Sequence, residues 1–300
     1  MTPSRLKGHL RRGLVAFSSL VVLILVVSAL FAPLISAHDP TEVSLANKFA
    51  EPGRTHPLGC DHLGRDVLSR LLHGARTSLG AVLVIAGVIL LLGFAVGATA
   101  GYAGGVVDAT LMRICDVFLT FPTFILAMFM IGVLGTGIVN VVLAVSLTHW
   151  AWYARIIRSL VLSLKNREHV LAARVSGTGR LMTMVRHVLP PVGAQLAILA
   201  TLDIGHMMMH VSGLSFLGLG VRPPTPEWGV MIADARQYVW THPELIMYPG
   251  LAIFVTVMAF NLLGDALRDA LDPQASQHQA AALAPREPPA SSDNLQEAYP

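Results

Sequence analysis

Three polar side chains stand where a membrane would tolerate them least. Asp203, His206 and His210 occupy positions i, i+3 and i+7 within the apolar run from Pro191 to Val211. At about 100° per residue they fall on one helical face, within about one third of the circumference. A carboxylate and two imidazoles are costly against lipid, so they are expected to face a pore or a partner helix. Imidazole suits nickel, zinc, copper and iron ions, and a carboxylate compensates their charge. A set of this kind fits a weak transit site, because an ion in a pathway must leave as readily as it enters. The plainer alternative is hydrogen bonding between helices with no metal contact. Met207, Met208 and Met209 add thioethers, although methionine in such a helix is more often packing material.

A second group, His56, Cys60 and His62, lies in a polar stretch. Nickel chemistry fits these types too, set against the bland reading of a solvent-facing loop. His149, His187 and His242 are single histidines near span ends, where structural hydrogen bonds are expected. Arg65 and Asp66 are expected to hold an outer helix in place rather than to meet a substrate. Cys60 and Cys115 are too isolated for a disulfide framework or a CxxC site. None of Lys7, Lys48 and Lys165 follows a glycine and precedes Ser or Thr, so the chain has no P-loop. No Ser/His/Asp set is placed for nucleophilic catalysis. A non-enzymatic role is expected.

The elements that position these groups follow from composition. Of 300 residues, 54% are hydrophobic and only 13% charged, with mean hydropathy +0.62; soluble proteins carry roughly 25% charged residues. The chain is expected to be an all-α, polytopic membrane protein. Spans are predicted over residues 13–37, 77–107, 191–211 and 245–264, the first uncleaved because a signal-peptide core is usually only about 7–15 residues. The run from Val117 to Ala154 would reach about 57 Å as one helix. The Leu134-Gly135-Thr136-Gly137 break therefore divides it into two short spans, six in all. Basic residues on the side of the termini outnumber those on the other by two to one, which predicts cytoplasmic N- and C-termini. From Leu63 the segment before the second span carries charged and apolar residues at helical spacing, as an interfacial helix would. Val221 to His242 carries Trp228 and Trp240, suited to a membrane–water boundary. Residues 1–76 thus read as an anchor helix and outer loop, 77–272 as the transmembrane domain and 273–300 as a disordered cytoplasmic tail.

Between spans four and five runs NREHVLAARVSGTGRLMTMVRHVLPP, from Asn166 to Pro191. The pattern predicts a basic amphipathic helix, a turn at Gly177–Gly179, a second short helix and a proline stop. Two uses fit: a membrane-surface pair with snorkelling arginines, or a docking elbow whose small residues allow close approach.

Ala172-Ala173, then Gly177, then Leu189-Pro190 resemble the EAA loop of ABC-importer permeases. The segments His56-Pro57-Leu58-Gly59, Asp61, Leu63-Gly64-Arg65-Asp66 and Ser69-Arg70 resemble the dipeptide/oligopeptide/nickel branch of that family. So do Ser215-Phe216-Leu217-Gly218-Leu219-Gly220, Pro226 and Trp228-Gly229. The runs His149–Arg155 and Ala200–Met208 look like nickel-transporting C-type subunits in particular. The resemblance covers roughly residues 49–273. It implies a type I importer permease fold and a coupling helix seated in a cleft of a cytoplasmic ATPase, with Ala172, Ala173, Gly177, Leu189 and Pro190 as the coupling residues. The family's glutamate position holds Leu171. It further implies a second homologous permease, two ATPase subunits, an extracytoplasmic nickel-binding protein and a place in the bacterial inner membrane, with no nucleic-acid partner. Nickel is then the transported ion, with no tightly bound cofactor. The alternatives are the same architecture carrying di- or oligopeptides, a membrane-embedded metalloenzyme, and a passive channel or secondary transporter.

Overall fold

The computed structural model describes the backbone of residues 3–271 and the side chains of residues 13–269. The expected tail, 273–300, lies outside the described residues. The described chain is all-α, in the order α1 (Pro3–Leu30), α2 (Ala32–Ile35), α3 (Val67–Ala103), α4 (Gly105–Thr120), α5 (Thr123–Leu134), α6 (Ile138–Leu164), α7 (Glu168–Val175), α8 (Arg180–Thr183), α9 (Leu189–Phe216), α10 (Trp228–Ala235) and α11 (Glu244–Leu271). Four helical runs are long and apolar enough to cross a membrane: Gly13–Leu30, Val67–Ala103, Arg180–Phe216 and Glu244–Asp269. The pair α4–α5 qualifies only when joined, and it is bent by 87°. Helix α6 spans 27 residues, long enough at 1.5 Å per residue, but His149, Arg155 and Arg158 lower its apolarity. Those polar groups find partners inside the chain.

The break at Leu134–Gly137 is where it was expected. Gly135 and Gly137 take φ of +90° and +139°, and Asn140 Nδ2 donates to the carbonyls of Leu134 and Gly135, both at 2.9 Å. These bonds satisfy helix-end acceptors that have no partner within the helix. The boundaries of the two spans around it differ from the prediction. The first helical stretch begins at Gly105, not Val117, and turns sharply at Phe121-Pro122. Pro122 has no N–H to give, and Phe121 before it is held extended at φ −97°, ψ 141°. The second, α6, continues ten residues past Ala154 to Leu164.

Helix α3 starts at Val67 rather than Thr77, because Asp66 caps it: its carboxylate accepts from the Ser69 N–H at 2.7 Å. The helical spacing seen from Leu63 onward is therefore the first turns of a long span and not a separate surface helix. Nor do the prolines at 190–191 stop a helix. They follow closely on a π turn, and the helix runs through them from Arg180 to Phe216. A wide π turn over Met184–Val188, with Leu189 N donating to Met184 O, joins α8 to α9 without interruption.

Tight helix packing sets the frame. Gly93, Gly97 and Gly101 form a stripe along α3 that meets Tyr153, Ala154, Ile157 and Val161 of α6. A Cβ on Gly97 would run into the Ala154 carbonyl and the Ile157 side chain. Small residues four apart let two backbones approach closely where the solvent is lipid. Val82, Ile85 and Ile89 of α3, Val141 and Val145 of α6, and Met207, Met208, Val211 and Leu214 of α9 fill the core. Met207 and Met208 thus act as packing, while Met209 is exposed. Only 11% of the apolar window of α1 is buried, which leaves most of that helix free for lipid contact. The bundle has two ends. One carries α7 and α8; the other carries the segment before α3 together with α10.

Candidate functional site

Asp203 is buried in α9 and gathers side chains from two helices. Tyr153 Oη donates to its Oδ2 at 3.0 Å, and His149 Nε2 lies 3.1 Å from the same oxygen. His206 Nδ1 lies 3.4 Å from Oδ1. His210 turns its Nδ1 to the His206 carbonyl at 2.8 Å. Donation to a carbonyl requires Nδ1–H, so the neutral ring keeps its lone pair on Nε2. The His149 and His210 ring centroids are 6.2 Å apart, and Phe124 of α5 approaches His210 at 5.8 Å. The His206 side chain is 77% exposed and borders a cavity of about 140 Å³ lined also by Gly205, Met209, Val257 and Asn261.

Asp203, His206 and His210 do share one face, as their spacing predicts. Their ligand atoms do not gather within 4.8 Å of one another: His206 Nδ1 approaches Asp203 Oδ1, while His210 turns its Nδ1 to the backbone. His149 is hydrogen-bonded, as expected, but it lies in the middle of α6 rather than near a span end, and it belongs to this same group. Tyr153 is a member that sequence reasoning missed. The available signal was its position four residues after His149, on the same face of α6. Together these residues hold a buried carboxylate between α6 and α9, with His206 bordering the cavity and the His210 Nε2 lone pair left unused by its backbone contact.

At the α7–α8 end, Ala172 is exposed, Ala173 half-buried and Gly177 exposed, with φ +87° and open space where a Cβ would stand. Leu189 is half-buried and Pro190 exposed at the start of α9. The elbow is tied down from beneath. Val170 is fully buried, Tyr102 Oη donates to the Arg180 carbonyl, and Lys165 Nζ donates to Gly101 O at 2.7 Å. Arg158 and Arg155 pair with Asp108 and Asp116 of α4. Above this base, Leu171, Val175, Leu181 and Met182 present apolar surface outward. An anchored elbow with an uncovered apolar crest suits a partner protein better than it suits water.

The opposite end is held by ion pairs. Arg65, 2% exposed, donates through Nε to Asp61 at 2.6 Å and through Nη2 to Asp234 at 3.1 Å. Arg70 reaches the Pro40 and Pro224 carbonyls at 3.2 and 3.3 Å. Arg65 and Asp66 have a structural role, but on α10 and the start of α3 rather than on a separate outer helix. Removing Asp61 would leave buried guanidinium groups short of a carboxylate, which costs about 3–5 kcal/mol. Asp61→Ala is expected to lower the melting temperature of the detergent-purified protein by several degrees, and an unchanged melting curve would refute this role.

Sequence reasoning passed over Glu227. It is fully buried and caps α10, accepting from Val230 N at 3.0 Å and from Ser78 Oγ of α3 at 2.9 Å. Trp228, expected at a membrane boundary, is instead a buried clamp whose Nε1–H donates to Leu71 O at 3.1 Å. Trp240 is almost fully exposed. His56, Cys60 and His62 do not form one cluster. Cys60 is buried, and burial together with Asp66 and Asp61 pushes its thiol pKa up; a protonated thiol is a poor ligand. His62 stacks on Tyr238 at 5.4 Å, and burial holds its pKa below the ordinary imidazole value. His56 joins a different pair of residues. Among the described residues, His38, His56 and Asp66 are the one group of three such side chains whose ligand atoms all lie within 4.8 Å of one another.

Comparison with known proteins agrees with this architecture. Residues 89–277 match the family model described as "Binding-protein-dependent transport system inner membrane component". The chain is 53% identical over 262 residues to the nickel transport system permease protein NikC of Escherichia coli, covering 87% of this chain and 95% of that one. It is 43% identical over 256 residues to the metal-staphylopine import system permease protein CntC of Staphylococcus aureus, covering 85% and 89%. With the di/tripeptide transport system permease protein DppC of Pseudomonas aeruginosa it shares 41% identity over 261 residues, covering 85% and 86%. With its apolar spans and relatives named as permease subunits, the chain belongs to the binding-protein-dependent transport family as a non-catalytic, multi-pass component of the inner membrane.

Proposed function

We propose that this ABC-importer permease forms half of the translocation pore of a nickel uptake system. The observation that carries the substrate is the polar face of α9, where Asp203 is shared by His149, Tyr153 and His206 while His210 keeps a free Nε2. Nickel at such a face meets imidazole nitrogen, a ligand it favours, beside a carboxylate that offsets its charge. Asp203, His206 and His210 form a transient site, completed by water or by the facing helix of a second, homologous permease. Because the three do not converge on their own, the ion is held loosely, as transit requires. The identity to the E. coli nickel permease supports the same cargo, and nickel here is substrate rather than a resident cofactor.

In this reading the chain crosses the membrane six times, with α4–α5 as one broken span and α6 as a further one, and both termini are cytoplasmic. Residues 1–76 form the anchor and outer loop, and 77–272 the transmembrane domain. One of two ATPase subunits seats α7 in its cleft, meeting Ala172, Ala173 and Gly177, while Leu189 and Pro190 transmit the movement to α9. Leu171, exposed at the family's glutamate position, makes an apolar contact in place of a charged one. An extracytoplasmic binding protein delivers the metal to the α10 end. Closure of the ATPases moves the elbow as a lever and switches the pore from inward- to outward-facing.

The test is radioactive nickel uptake by a strain lacking its own nickel importer, given this chain with its partner subunits. Ala at both His206 and His210 is expected to lower uptake by at least about tenfold while co-purification with the partner permease is retained. Normal nickel uptake in that variant would remove the pore assignment. Competition by di- or tripeptides, with no effect of the double substitution, would instead favour a peptide permease of the same architecture.

A further inference from the structure

The loop end of the bundle holds a second set of metal-binding chemistry, 18 residues apart in sequence at its two imidazoles. His38 and His56 lie with ring centroids 4.6 Å apart, tilted by 31°. His38 Nε2 is 2.8 Å from the Thr55 carbonyl, and His56 Nδ1 is 2.9 Å from Asp66 Oδ1. A carbonyl and an ionised carboxylate only accept, so each of these nitrogens carries the proton. The lone pairs of the neutral rings are therefore left on His38 Nδ1 and His56 Nε2. A carboxylate holding one imidazole nitrogen while the other stays open is how proteins orient histidine towards a metal.

Asp66 is held in place by its own contacts: its carboxylate accepts from the Ser69 N–H at 2.7 Å and faces His56 Nδ1 at 2.9 Å. The three side chains open onto a cavity of about 160 Å³ that Asp39 and Glu42 also line, with no Lys or Arg among its lining residues. The local charge is thus negative. The backbone around it is braced: Ser44 N donates to Leu63 O at 3.1 Å, Phe49 N to Asp61 O at 3.1 Å, and Cys60 N to Ala50 O at 3.0 Å. Ligand atoms around one transition-metal ion lie at most roughly 4 Å apart, given bond lengths of about 2.0–2.2 Å. In this cluster one ligand atom from each of the three side chains lies within 4.8 Å of the others.

We propose that His38, His56 and Asp66 form a binding site for a borderline divalent transition cation, such as Ni2+ or Co2+, at the end of the bundle opposite α7 and α8. The two imidazoles ligate, Asp66 orients His56 and neutralises charge, and water completes the shell. Two protein ligands and an open cavity make the site exchangeable rather than permanent. Its role as the receiving point for incoming nickel rests on the transport reading above; the ligation itself does not.

The experiment uses tag-free chain co-purified with its partner permease and reconstituted in lipid nanodiscs. Ni2+ and Co2+ binding is measured by equilibrium dialysis, and the visible absorption of bound Co2+ reports imidazole ligation. His38→Ala leaves the His56–Asp66 bond in place, and His38→Gln serves as a second variant should the first fail to fold. Loss of one equivalent of bound metal, or at least about tenfold weaker binding, is expected in either variant, with an unchanged melting temperature. The His206/His210 double variant should retain that equivalent. Unchanged stoichiometry, affinity and Co2+ spectrum in folded His38→Ala or His38→Gln would overturn the site. If His38 variants lose metal while the wild-type system imports no nickel, the site stands and the nickel reading falls. If nickel import is intact and binding ignores His38, the reverse holds.

Discussion

Transport is expected to collapse when Gly177 is replaced by aspartate, with the bundle still folded. Gly177 follows α7 at φ +87°, a backbone region that glycine enters freely and other residues enter at a cost of roughly 1–2 kcal/mol. Nothing stands within 4 Å of where its Cβ would be, so the substitution creates no clash inside the chain. It acts instead on whatever docks there. Aspartate adds bulk to the crest of the elbow and a negative charge beside the negative end of a helix dipole. Losing only about 1.4 kcal/mol at the ATPase contact lowers binding tenfold, so nickel uptake should fall by more than about tenfold. ATP hydrolysis by the assembled transporter should no longer respond to the loaded binding protein. Gly177→Ala, smaller and uncharged, should retain more activity. Uptake within twofold of wild type for Gly177→Asp, with coupled hydrolysis intact, would take the elbow out of the coupling machinery.

Gly97→Leu is expected to fail at an earlier step, the assembly of the bundle. The Cβ of any residue at 97 meets the Ala154 carbonyl and the Ile157 Cβ, and neither belongs to a flexible side-chain end that can swing aside. Overpacking of this kind costs about 1–3 kcal/mol even in adaptable cores. Here it also forces apart two helices whose association depends on close backbone approach. Detergent-extracted Gly97→Leu protein should give little or no monodisperse peak in size-exclusion chromatography. Gly87 lies on the same helix with nothing within 4 Å of its Cβ position, so Gly87→Leu is the matched control and should behave as wild type. Equal yields and melting temperatures for the two variants would show that the α3–α6 contact is drawn wrongly.

The two substitutions also mark how far residue patterns carry. The helical class, the break after Leu134 and the shared face of Asp203, His206 and His210 are local properties: they depend on apolar run length, on glycine conformation and on a period of 3.6 residues. The elbow was legible for the same reason, since its small residues and glycine turn lie within one short segment. The bend at Pro122 was local as well, yet an uninterrupted apolar run masked it, because hydropathy does not register a missing N–H. The start of α3 at Val67 was hidden by charge. Arg65 and Arg70 look like residues bound for water, until Asp61 and the distant Asp234 are placed beside them.

What the sequence alone determined is which segments must leave water and which polar groups those segments carry, because transfer to lipid acts on each residue where it stands. Only the tertiary structure decided which of these groups meet. Tyr153 and His149 reach Asp203 across 50 and 54 residues, Glu227 holds Ser78 across 149, and His38 pairs with His56 in place of Cys60 and His62. Hydrogen bonds and metal ligation act over about 2–3 Å, and no spacing along the chain sets such distances once helices pack side by side.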